Sequence, residues 1–295
     1  MEKKSGFISL IGRPSSGKST LINTICGYKI SIVSNRPQTT QFIVRGIYND
    51  DESQMIFIDT PGFHHFDSNL NRGLSNIAAR TLDDGDLVLY LVDISRDFGE
   101  EEKAIIEKLK KIDKKIIIAF NKIDMVSTYK ENIEKEIRDS LKNADFIEIS
   151  AKTETNIKEL KELIKNHLPY GPLYYPEEYV TDQSIPFRIK EVVREKVFLN
   201  TSEEIPHSIY VEVDSLDVKE EKIIAYATIF VERMSQKGMI IGKSGKMIKK
   251  IGEEARLDLQ EILERKVNLF LNVKPHLNWR KDEKFLKKMF NLDQY

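Results

Sequence analysis

Eight residues near the beginning of the chain have the types and the spacing of a phosphate-binding loop. They are Gly12, Arg13, Pro14, Ser15, Ser16, Gly17, Lys18 and Ser19, which satisfy the pattern G-x-x-x-x-G-K-[ST]. Glycines allow such a loop to fold tightly, so that its N–H groups and the following helix N-terminus point at phosphate oxygens. Lys18 would place a cation on the β- and γ-phosphates, Ser19 would ligate Mg²⁺, and Thr20 belongs to the contacting segment. The pattern therefore predicts a nucleotide site rather than a glycine turn without function.

Three further residues are predicted to act at the γ-phosphate and the metal. Asp59 opens the segment Asp59-Thr60-Pro61-Gly62 at the end of a predicted strand, where a carboxylate can reach Mg²⁺, usually through water. The N–H group of Gly62 can sense the γ-phosphate. Thr40 would complete the Mg²⁺ ligands only when a γ-phosphate is bound, and Thr39 is the competing candidate. The predicted catalytic residues are Lys18, Thr40 and Gly62, and the predicted metal ligands are Ser19, Thr40 and Asp59.

Two later segments are predicted to select the base. Asn121-Lys122-Ile123-Asp124 ends in an acid that can accept hydrogen bonds from the N1–H and the exocyclic amine of guanine. Adenine has an acceptor at N1 and no amine at C2, so an unpaired buried acid would cost about 1 to 3 kcal/mol or more. A later turn would supply a backbone N–H to guanine O6. We therefore predict GTP and GDP as ligands, held at the base by Asn121, Lys122, Asp124, Ser150, Ala151 and Lys152.

These motifs follow elements of an α/β fold, in which short apolar strands alternate with amphipathic helices. Residues 49–54 are too few for a crossover helix, so the second and third strands should form an antiparallel hairpin in a mixed six-stranded sheet. The predicted strands are Phe7–Ile11, Phe42–Tyr48, Met55–Asp59, Leu87–Val92, Ile116–Phe120 and Phe146–Ile149. The predicted helices are Ser19–Ile25, Leu70–Leu82, Glu100–Leu109, Lys130–Leu141 and Ile157–Leu168.

A proline-rich stretch from Pro169 to Pro176 separates this domain from a second one. Its prolines and glycine stop the preceding helix and cannot extend it. We assign residues 1–170 to a GTP-binding domain, 171–180 to a linker and 181–295 to an α+β domain with a C-terminal helix. The predicted order in the second domain is helix Asp182–Leu199, strands Ser208–Asp214 and Lys222–Glu232, a glycine-broken helical region and strand Val267–Val273.

A G-x-x-G loop in the second domain is predicted to bind RNA. Such a loop between two helices clamps the backbone of about four nucleotides in a KH domain, and the element order matches the type II form. Lysines and no acids lie between residues 237 and 250, which concentrates positive charge there. The competing interpretation is an interhelical turn beside a solvated helix face. The predicted RNA-binding residues are Lys237, Ile240, Ile241, Gly242, Lys243, Ser244, Gly245, Lys246, Ile248 and Lys249, with the isoleucines lining a groove for unstacked bases.

The composition limits the remaining possibilities. The chain has 295 residues, of which 40% are hydrophobic and 32% charged, and this excludes a disordered or fibrous protein. Its net charge is −1, so nucleic-acid contact depends on local clusters of lysine. The single cysteine, Cys26, excludes an internal disulfide, and no run reaches the roughly 18 apolar residues of a membrane span. The charged start has no signal peptide, so we expect a cytoplasmic protein, and we expect a monomer.

Taken together, these motifs resemble those of the translation-factor-related GTPases, and the chain from Gly6 to Phe290 resembles the Era family of bacterial GTPases. The resemblance rests on Gly12-Arg13-Pro14, Pro37-Gln38-Thr39-Thr40, Asp59-Thr60-Pro61-Gly62 and, above all, the fused C-terminal domain. It implies a GTP hydrolase that needs Mg²⁺. It further implies nucleotide-controlled binding to the 3′ end of 16S ribosomal RNA and to the 30S subunit during its assembly.

Two positions, one compared with Ras-like enzymes and one with closer relatives, concern hydrolysis. Ras-like enzymes orient the attacking water with a glutamine where this chain has Phe63, which cannot hydrogen-bond. Relatives commonly have asparagine where this chain has Ser15, a position tied in some of them to potassium, so the use of potassium stays open. We expect slow turnover without a stimulating partner.

Two other functions remain open at the level of the sequence. One is an RNA-binding module that uses GTP only as a structural ligand, which Phe63 permits. The other is a peripheral membrane GTPase at the inner face of the cell membrane, because Trp279–Phe290 has lysines opposite an apolar helical face. Packing of that helix on the domain core is the alternative.

Overall fold

Strands and helices alternate through residues 1–182, the first of two units into which the chain divides. The computed structural model describes residues 2–33, 42–59, 82, 85–201, 205, 209–277 and 279. The strands of this unit are β1 (Lys3–Ile11), β2 (Val44–Asn49), β3 (Ser53–Asp59), β4 (Leu87–Asp93), β5 (Lys115–Asn121), β6 (Asp145–Ile149) and β7 (Tyr170–Gly171). Its helices in the described ranges are α1 (Lys18–Cys26), α2 (Glu100–Leu109), α3 (Lys130–Ser140) and α4 (Ile157–His167).

The strands form one mixed sheet with the order β2-β3-β1-β4-β5-β6. The hairpin of β2 and β3 is antiparallel, whereas β3, β4, β5 and β6 continue the sheet in parallel with β1. This confirms the predicted mixed sheet, and it adds the two-residue strand β7, which pairs antiparallel with the beginning of β1. Because the parallel strands end at one edge, the segments that follow β1, β3, β5 and β6 meet there.

The middle of the sheet is covered on both faces. Every residue of β3 and β4 is buried, which is the pattern of central strands with elements on either side. One core cluster joins residues of β4 and β5 with α2 and α3, and the partly buried Phe98, Ile112 and Phe146 pack against it. This packing holds the strand ends in fixed positions, from which the loops of the site extend.

The proline-rich segment after α4 is ordered along the edge of the sheet, and we call residues 171–182 the strap. Its carbonyl at Val180 accepts a hydrogen bond from the N–H of Ile47 in β2, at 2.8 Å. The fully buried side chain of Gln54 accepts from the N–H groups of Tyr174 and Tyr175, at 2.8 and 3.0 Å. The segment predicted as a linker is therefore bonded to the first unit over most of its length.

The second unit is a three-stranded sheet with helices. It contains α5 (Ile185–Asn200), β8 (Ile209–Val218), β9 (Lys222–Val231), α6 (Met234–Ile241), a 3₁₀ turn (Lys243–Gly245), α7 (Lys246–Leu263) and β10 (Lys266–Pro275). The sheet order is β10-β9-β8, with β9 parallel to β10 and antiparallel to β8. Helix α5 packs against α7 and β8. The predicted α+β order is confirmed.

Several predicted elements lie outside the described residues. They are the loop Ser34–Thr40, most of the helix Leu70–Leu82 and the C-terminal segment beyond Trp279. Trp279 itself is fully buried, and its ring lies 5.2 Å from that of Tyr210 on β8. Within the described ranges, none of the helices combines the length and the apolar character that crossing a bilayer requires.

Candidate functional site

The loop from Gly12 to Ser19 connects β1 to α1, and close packing fixes its two glycines. A Cβ atom on Gly12 would lie 2.5 Å from the Leu91 carbonyl oxygen. Gly17 has φ of +102°, and a Cβ atom there would lie 2.4 Å from the side-chain nitrogen of Asn121. Only glycine fits both positions, because one lacks space and the other also needs a left-handed backbone.

Lys18 is buried at the centre of this loop. Its ammonium donates hydrogen bonds to the carbonyls of Gly12 and Arg13, at 2.9 and 3.0 Å. Burial lowers the pKa of Lys18, while the nearby charge of Asp59 acts in the opposite direction. A buried cation whose partners are mainly neutral carbonyls favours an anionic ligand, since a charge out of water is costly unless it is paired. The loop therefore has the electrostatics of a phosphate site.

Asp59 ends β3 next to this lysine, and its carboxylate is completely buried. Its Oδ2 accepts hydrogen bonds from the hydroxyls of Ser19 at 2.9 Å and Ser31 at 3.2 Å. Its Oδ1 has no hydrogen-bond partner among the described residues. Burial raises the pKa of Asp59, and Lys18 together with the two hydroxyls opposes that rise. A buried acceptor left unbonded costs free energy, so this oxygen is suited to a cation or its water.

The oxygens of Ser19 and Asp59 fit Mg²⁺. This ion prefers hard oxygen ligands and is usually held by one or two protein groups together with substrate phosphates and water. Within the described ranges, no group of three or more His, Cys, Asp or Glu side chains is placed to hold a metal by itself. Ser19 and Asp59 match the small number of protein ligands with which Mg²⁺ is usually held beside phosphates and water. When bound, Mg²⁺ neutralises charge on the phosphates.

Asn121 joins the base-selecting segment to the phosphate-binding loop. Its Nδ2 donates to the carbonyl of Ser16 at 2.8 Å, and its Oδ1 accepts from the N–H of Ala151 at 2.9 Å. The three segments after β1, β5 and β6 are therefore connected through one buried side chain. The amide of Ala151, in the turn predicted to face the base carbonyl, is engaged with Asn121 in this structure.

Asp124 and Lys122 lie on the same side of the sheet edge and are each held by a partner. The Asp124 carboxylate accepts from the Ser150 hydroxyl at 2.6 Å, and the Asp124 side chain is otherwise exposed. The Lys122 ammonium lies 2.6 Å from the carboxylate of Asp93, at the end of β4. A carboxylate has more acceptor sites than one hydroxyl occupies, so Asp124 can accept further hydrogen bonds from a ligand that binds at this exposed surface.

The side chain of Arg13 fixes the outer side of the phosphate-binding loop. Its Nε lies 2.7 Å from Glu101, its Nη1 lies 2.8 Å from Glu102, and Nη1 also donates to the carbonyl of Asp97 at 3.1 Å. All three partners belong to the start of α2 or the residues just before it. The side chain of Arg13, a predicted contact residue, is therefore engaged by other protein groups. Only its backbone remains to contact a nucleotide.

The G-x-x-G loop lies between α6 and α7 and depends on left-handed backbone. Gly242 and Gly245 have φ of +70° and +77°, and Ser244 has φ of +53°. A Cβ atom on Gly242 would lie 2.6 Å from the Cβ of Met247, so a larger residue does not fit. The side chains of Lys243 and Ser244 are exposed at the tip. The loop therefore presents main-chain groups and a lysine to solvent.

The predicted RNA-binding side chains divide into two groups. Lys243, Lys246 and Lys249 are exposed, and Lys237, Ile241 and Ile248 are half-buried. Ile240 is completely buried, so it packs in the core of the second unit and cannot hold a base. Its inclusion in the groove was wrong, because it lies one turn after the buried Gln236 on the inner face of α6. The exposed apolar residue of α6 in the last turn before the loop is instead Met239.

Thr40 and Gly62 lie outside the described residues, so the structure neither places nor excludes them. The residues that sequence reasoning missed are supporting side chains outside the motifs: Asn23, Ser31, Asp93, Glu101 and Glu102. No sequence pattern marks Asn23, because five of the nine residues of α1 are polar or charged. The contacts of the others with the site carry no local signal, because they join residues 28 or more positions apart.

Comparison with known proteins agrees with this geometry. Residues 7–122 match a family described as 50S ribosome-binding GTPase, and residues 204–280 match the KH domain. The chain is similar to GTPase Era of Borreliella afzelii, with 46% identity over 98% of this chain and 100% of that protein. GTPase Era of Caldanaerobacter subterraneus is 43% identical over 98% of both chains.

Two solved structures have the same overall fold. One is an Aquifex aeolicus Era variant bound to GDP and AlF₄⁻, with a TM-score of 0.92, 33% identity and coverage of 97% of this chain and 98% of that one. The other is Era in complex with MgGDPNP and nucleotides 1506–1542 of 16S ribosomal RNA, again with a TM-score of 0.92, 33% identity and 98% coverage of both. From the near-complete match to relatives that share both domains, the chain belongs to the Era family of GTPases.

Proposed function

We propose that the chain binds GTP with Mg²⁺ in its first unit and, under control of that nucleotide, binds the 3′ end of 16S ribosomal RNA with its second unit. This would place it in the assembly of the 30S subunit, in the cytoplasm. We assign residues 1–170 to nucleotide binding, 171–180 to the connection and 181–295 to RNA binding. Each part of this proposal rests on different residues and has its own test.

The nucleotide assignment rests chiefly on the cluster of Lys18, Ser19 and Asp59, in which the lysine and the carboxylate are buried. A cation, a hydroxyl and a carboxylate lie together at the glycine loop, and one carboxylate oxygen has no hydrogen-bond partner in the part of the chain that the structure describes, which suits a phosphate and its metal. In this assignment Lys18 stabilises negative charge on the β- and γ-phosphates during hydrolysis. The proposed γ-phosphate contacts of Thr40 and Gly62 rest on the sequence motifs alone.

Base selection is assigned to Asp124. Its carboxylate would accept from the N1–H and the amine of guanine, while the Ser150 hydroxyl keeps it oriented. The change Asp124→Asn replaces one acceptor oxygen with a donor, which matches xanthine because xanthine has a carbonyl in place of the amine. We expect GTP affinity to fall about 100-fold or more and XTP affinity to rise, since unpaired polar groups at such a site are strongly rejected.

Competition of GTP, XTP and ATP against a fluorescent GDP analogue measures this change. Asp139→Asn, on α3, removes the same charge without approaching the base-selecting segments and should leave the three affinities unchanged. Equal binding of GTP and ATP by the wild-type chain would disprove the assignment of the base site.

RNA binding is assigned to the G-x-x-G loop and its lysines. The relative with the same fold binds a 16S ribosomal RNA fragment, and the exposed Lys243, Lys246 and Lys249 offer this chain local positive charge despite its overall neutrality. We expect Lys243→Glu to weaken binding of a single-stranded 3′-end RNA by about tenfold and to lower the slope of log affinity against log salt by about 1. Lys222→Glu, an exposed lysine at the start of β9, is the matched control.

Control by the nucleotide requires different RNA affinities in the two nucleotide states. Titration of the same RNA with protein loaded with GDP or with a non-hydrolysable GTP analogue measures that difference. By reciprocity, RNA would then change the affinity for the favoured nucleotide by the same factor. Identical RNA affinities in both states would instead support an RNA-binding module in which GTP is only structural.

A further inference from the structure

The side chain of Asn23, in the second half of α1, holds one short piece of backbone with three hydrogen bonds. Its Oδ1 accepts from the N–H groups of Ile30 at 2.9 Å and Ser31 at 2.8 Å. Its Nδ2 donates to the carbonyl of Ser31 at 2.8 Å. Three of the four hydrogen bonds that a side-chain amide can make are therefore spent on this segment. The backbone at Ser31 is fixed relative to the helix whose first residues are Lys18 and Ser19.

Ser31 uses this fixed position to contact Asp59. Its side chain is 2% exposed, and its hydroxyl donates to Oδ2 of the carboxylate at 3.2 Å. The Ser19 hydroxyl reaches the same oxygen at 2.9 Å. Both donors are therefore anchored to α1, one at its first turn and the other through Asn23. Together they hold one carboxylate oxygen, and the other has no hydrogen-bond partner within the described ranges.

We infer that Asn23 and Ser31 are positioning residues for the proposed magnesium site. Both serine hydroxyls donate to Asp59, but Ser19 is also expected to bind the metal through its hydroxyl oxygen. Ser31 is not a proposed metal ligand, so its only role at the site is the hydrogen bond to Asp59. Its hydrogen bond keeps Oδ2 occupied and the carboxylate oriented, and it leaves Oδ1 available to the ion or its water. This inference rests on the proposed nucleotide function and adds two residues outside the known motifs to the same site.

A purely structural role makes a different prediction. A buried hydroxyl that only supports the fold would, when removed, weaken stability and nucleotide binding equally with and without Mg²⁺. A positioning residue instead changes the Mg²⁺ concentration at which the metal acts. The discriminating quantity is therefore the Mg²⁺ midpoint for slowing GDP release, measured beside the release rate in EDTA.

The experiment uses the full chain loaded with a fluorescent GDP analogue and chased with unlabelled GDP over a titration of Mg²⁺. For Ser31→Ala we expect the midpoint to rise about tenfold, because a hydrogen bond to a charged group contributes roughly that factor to an equilibrium. Release in EDTA should stay within about twofold of wild type on the same reasoning, since Ser31 acts through Asp59 and the metal. Asn23→Ala should shift the midpoint in the same direction.

Matched variants separate this effect from general loss of a buried hydroxyl. Ser5→Ala removes a hydroxyl of equal burial, which donates to the Pro172 carbonyl at 2.8 Å away from the site, and its midpoint should equal that of wild type. Ser31→Cys keeps nearly the same volume with a weak donor and should give an intermediate midpoint. It also serves as the test if Ser31→Ala does not fold.

Two results would overturn the inference alone. One is a wild-type midpoint in Ser31→Ala or, where that variant does not fold, in Ser31→Cys. The other is faster GDP release by the same factor with and without Mg²⁺. A wild-type chain that binds GDP but ignores Mg²⁺ would overturn the proposed metal site itself, and this inference with it.

Discussion

Replacement of Asn121 by alanine should separate the three loops of the nucleotide site. The native side chain makes two buried hydrogen bonds, one to the Ser16 carbonyl at 2.8 Å and one from the Ala151 amide at 2.9 Å. Alanine removes both and leaves one carbonyl and one amide without a partner. The phosphate-binding loop and the turn after β6 would then no longer be tied to the end of β5.

The magnitude follows from these two bonds. Each hydrogen bond contributes about 1 kcal/mol net, and each buried group left unsatisfied costs about 1 to 3 kcal/mol. Water that enters the space left by the side chain can bond to these groups and reduce that cost. We therefore expect the free energy of unfolding of the first unit to fall by about 2 to 4 kcal/mol. Thr24→Val is the matched control, because its hydroxyl makes a single bond to the Ala151 carbonyl at 2.8 Å and should cost about 1 kcal/mol.

Urea unfolding of the nucleotide-free chain measures this effect, with circular dichroism reporting on both units. The chain has a single tryptophan, Trp279, which is buried in the second unit, so tryptophan fluorescence follows that unit separately. We expect the Asn121→Ala substitution to shift the dichroism transition and to leave the fluorescence transition in place. GDP affinity should fall by about tenfold or more, because the loops must be reordered on binding.

Two results would contradict this reasoning. The first is an unfolding free energy for Asn121→Ala equal to that of Thr24→Val, which would show that the second bond contributes nothing. The second is an equal shift in tryptophan fluorescence, which would show that the substitution acts on the whole chain and not on the loops of the first unit.

Three further predictions concern other residues of the first unit. Gly17→Ala should abolish tight GDP binding, whereas Gly27→Ala, also at positive φ but with no atom within 4 Å, should cost only about 1 kcal/mol of stability by urea unfolding; equal GDP affinities would refute the steric argument. Burial acts to raise the pKa of Asp93, but hydrogen bonds from Lys122 and Ser95 outweigh this effect. The net result is a pKa below the ordinary value of 3.8. Its stabilisation is therefore present above pH 3.8 and lost as the pH falls through the folded-state value, so the stability difference between wild type and Asp93→Asn should shrink in acid; a constant difference would refute this. Burial raises the pKa of Cys26 to about 12, so disulfide exchange with a small aromatic disulfide at pH 8 should be roughly a thousandfold slower than in urea, and equal rates would count against it.

The sequence predicts the positions of the motifs well because each is local. The pattern from Gly12 to Ser19 requires a strand before it and a helix after it, and β1 and α1 begin and end within a few residues of the expected positions. The same holds for β2 and β3, since a short connection can only form a hairpin. Element order and motif spacing are properties of neighbouring residues, so they can be read from the chain.

Long-range partners are not accessible in this way. Ser31 meets Asp59 across 28 positions, and Asn121 meets Ser16 across 105. No local pattern marks which polar side chain will lie opposite which loop. The prediction that Ile240 lines the RNA groove is wrong for a related reason. Proximity to a functional loop in sequence does not determine which face of a helix is buried.

The strap shows a third limit. Prolines correctly predicted the end of α4, yet they gave no sign that the residues after them bond to a sheet edge. That bonding depends on Gln54, a polar residue fully buried in β3 whose side chain satisfies the strap backbone. A buried glutamine inside a strand carries this information only once its partners are known.

The strap also changes how the covalent connection between the units behaves. A free segment of ten residues would have an end-to-end distance of about 16 to 19 Å and would leave in any direction. Here Asp182 is bonded to Arg45 at 2.9 Å, and α5 begins at Ile185 with Ser184 as its cap, which leaves almost no untethered chain. The chain is therefore held to β2 as far as Asp182, the last residue of the first unit, where a flexible tether of the same length would be free.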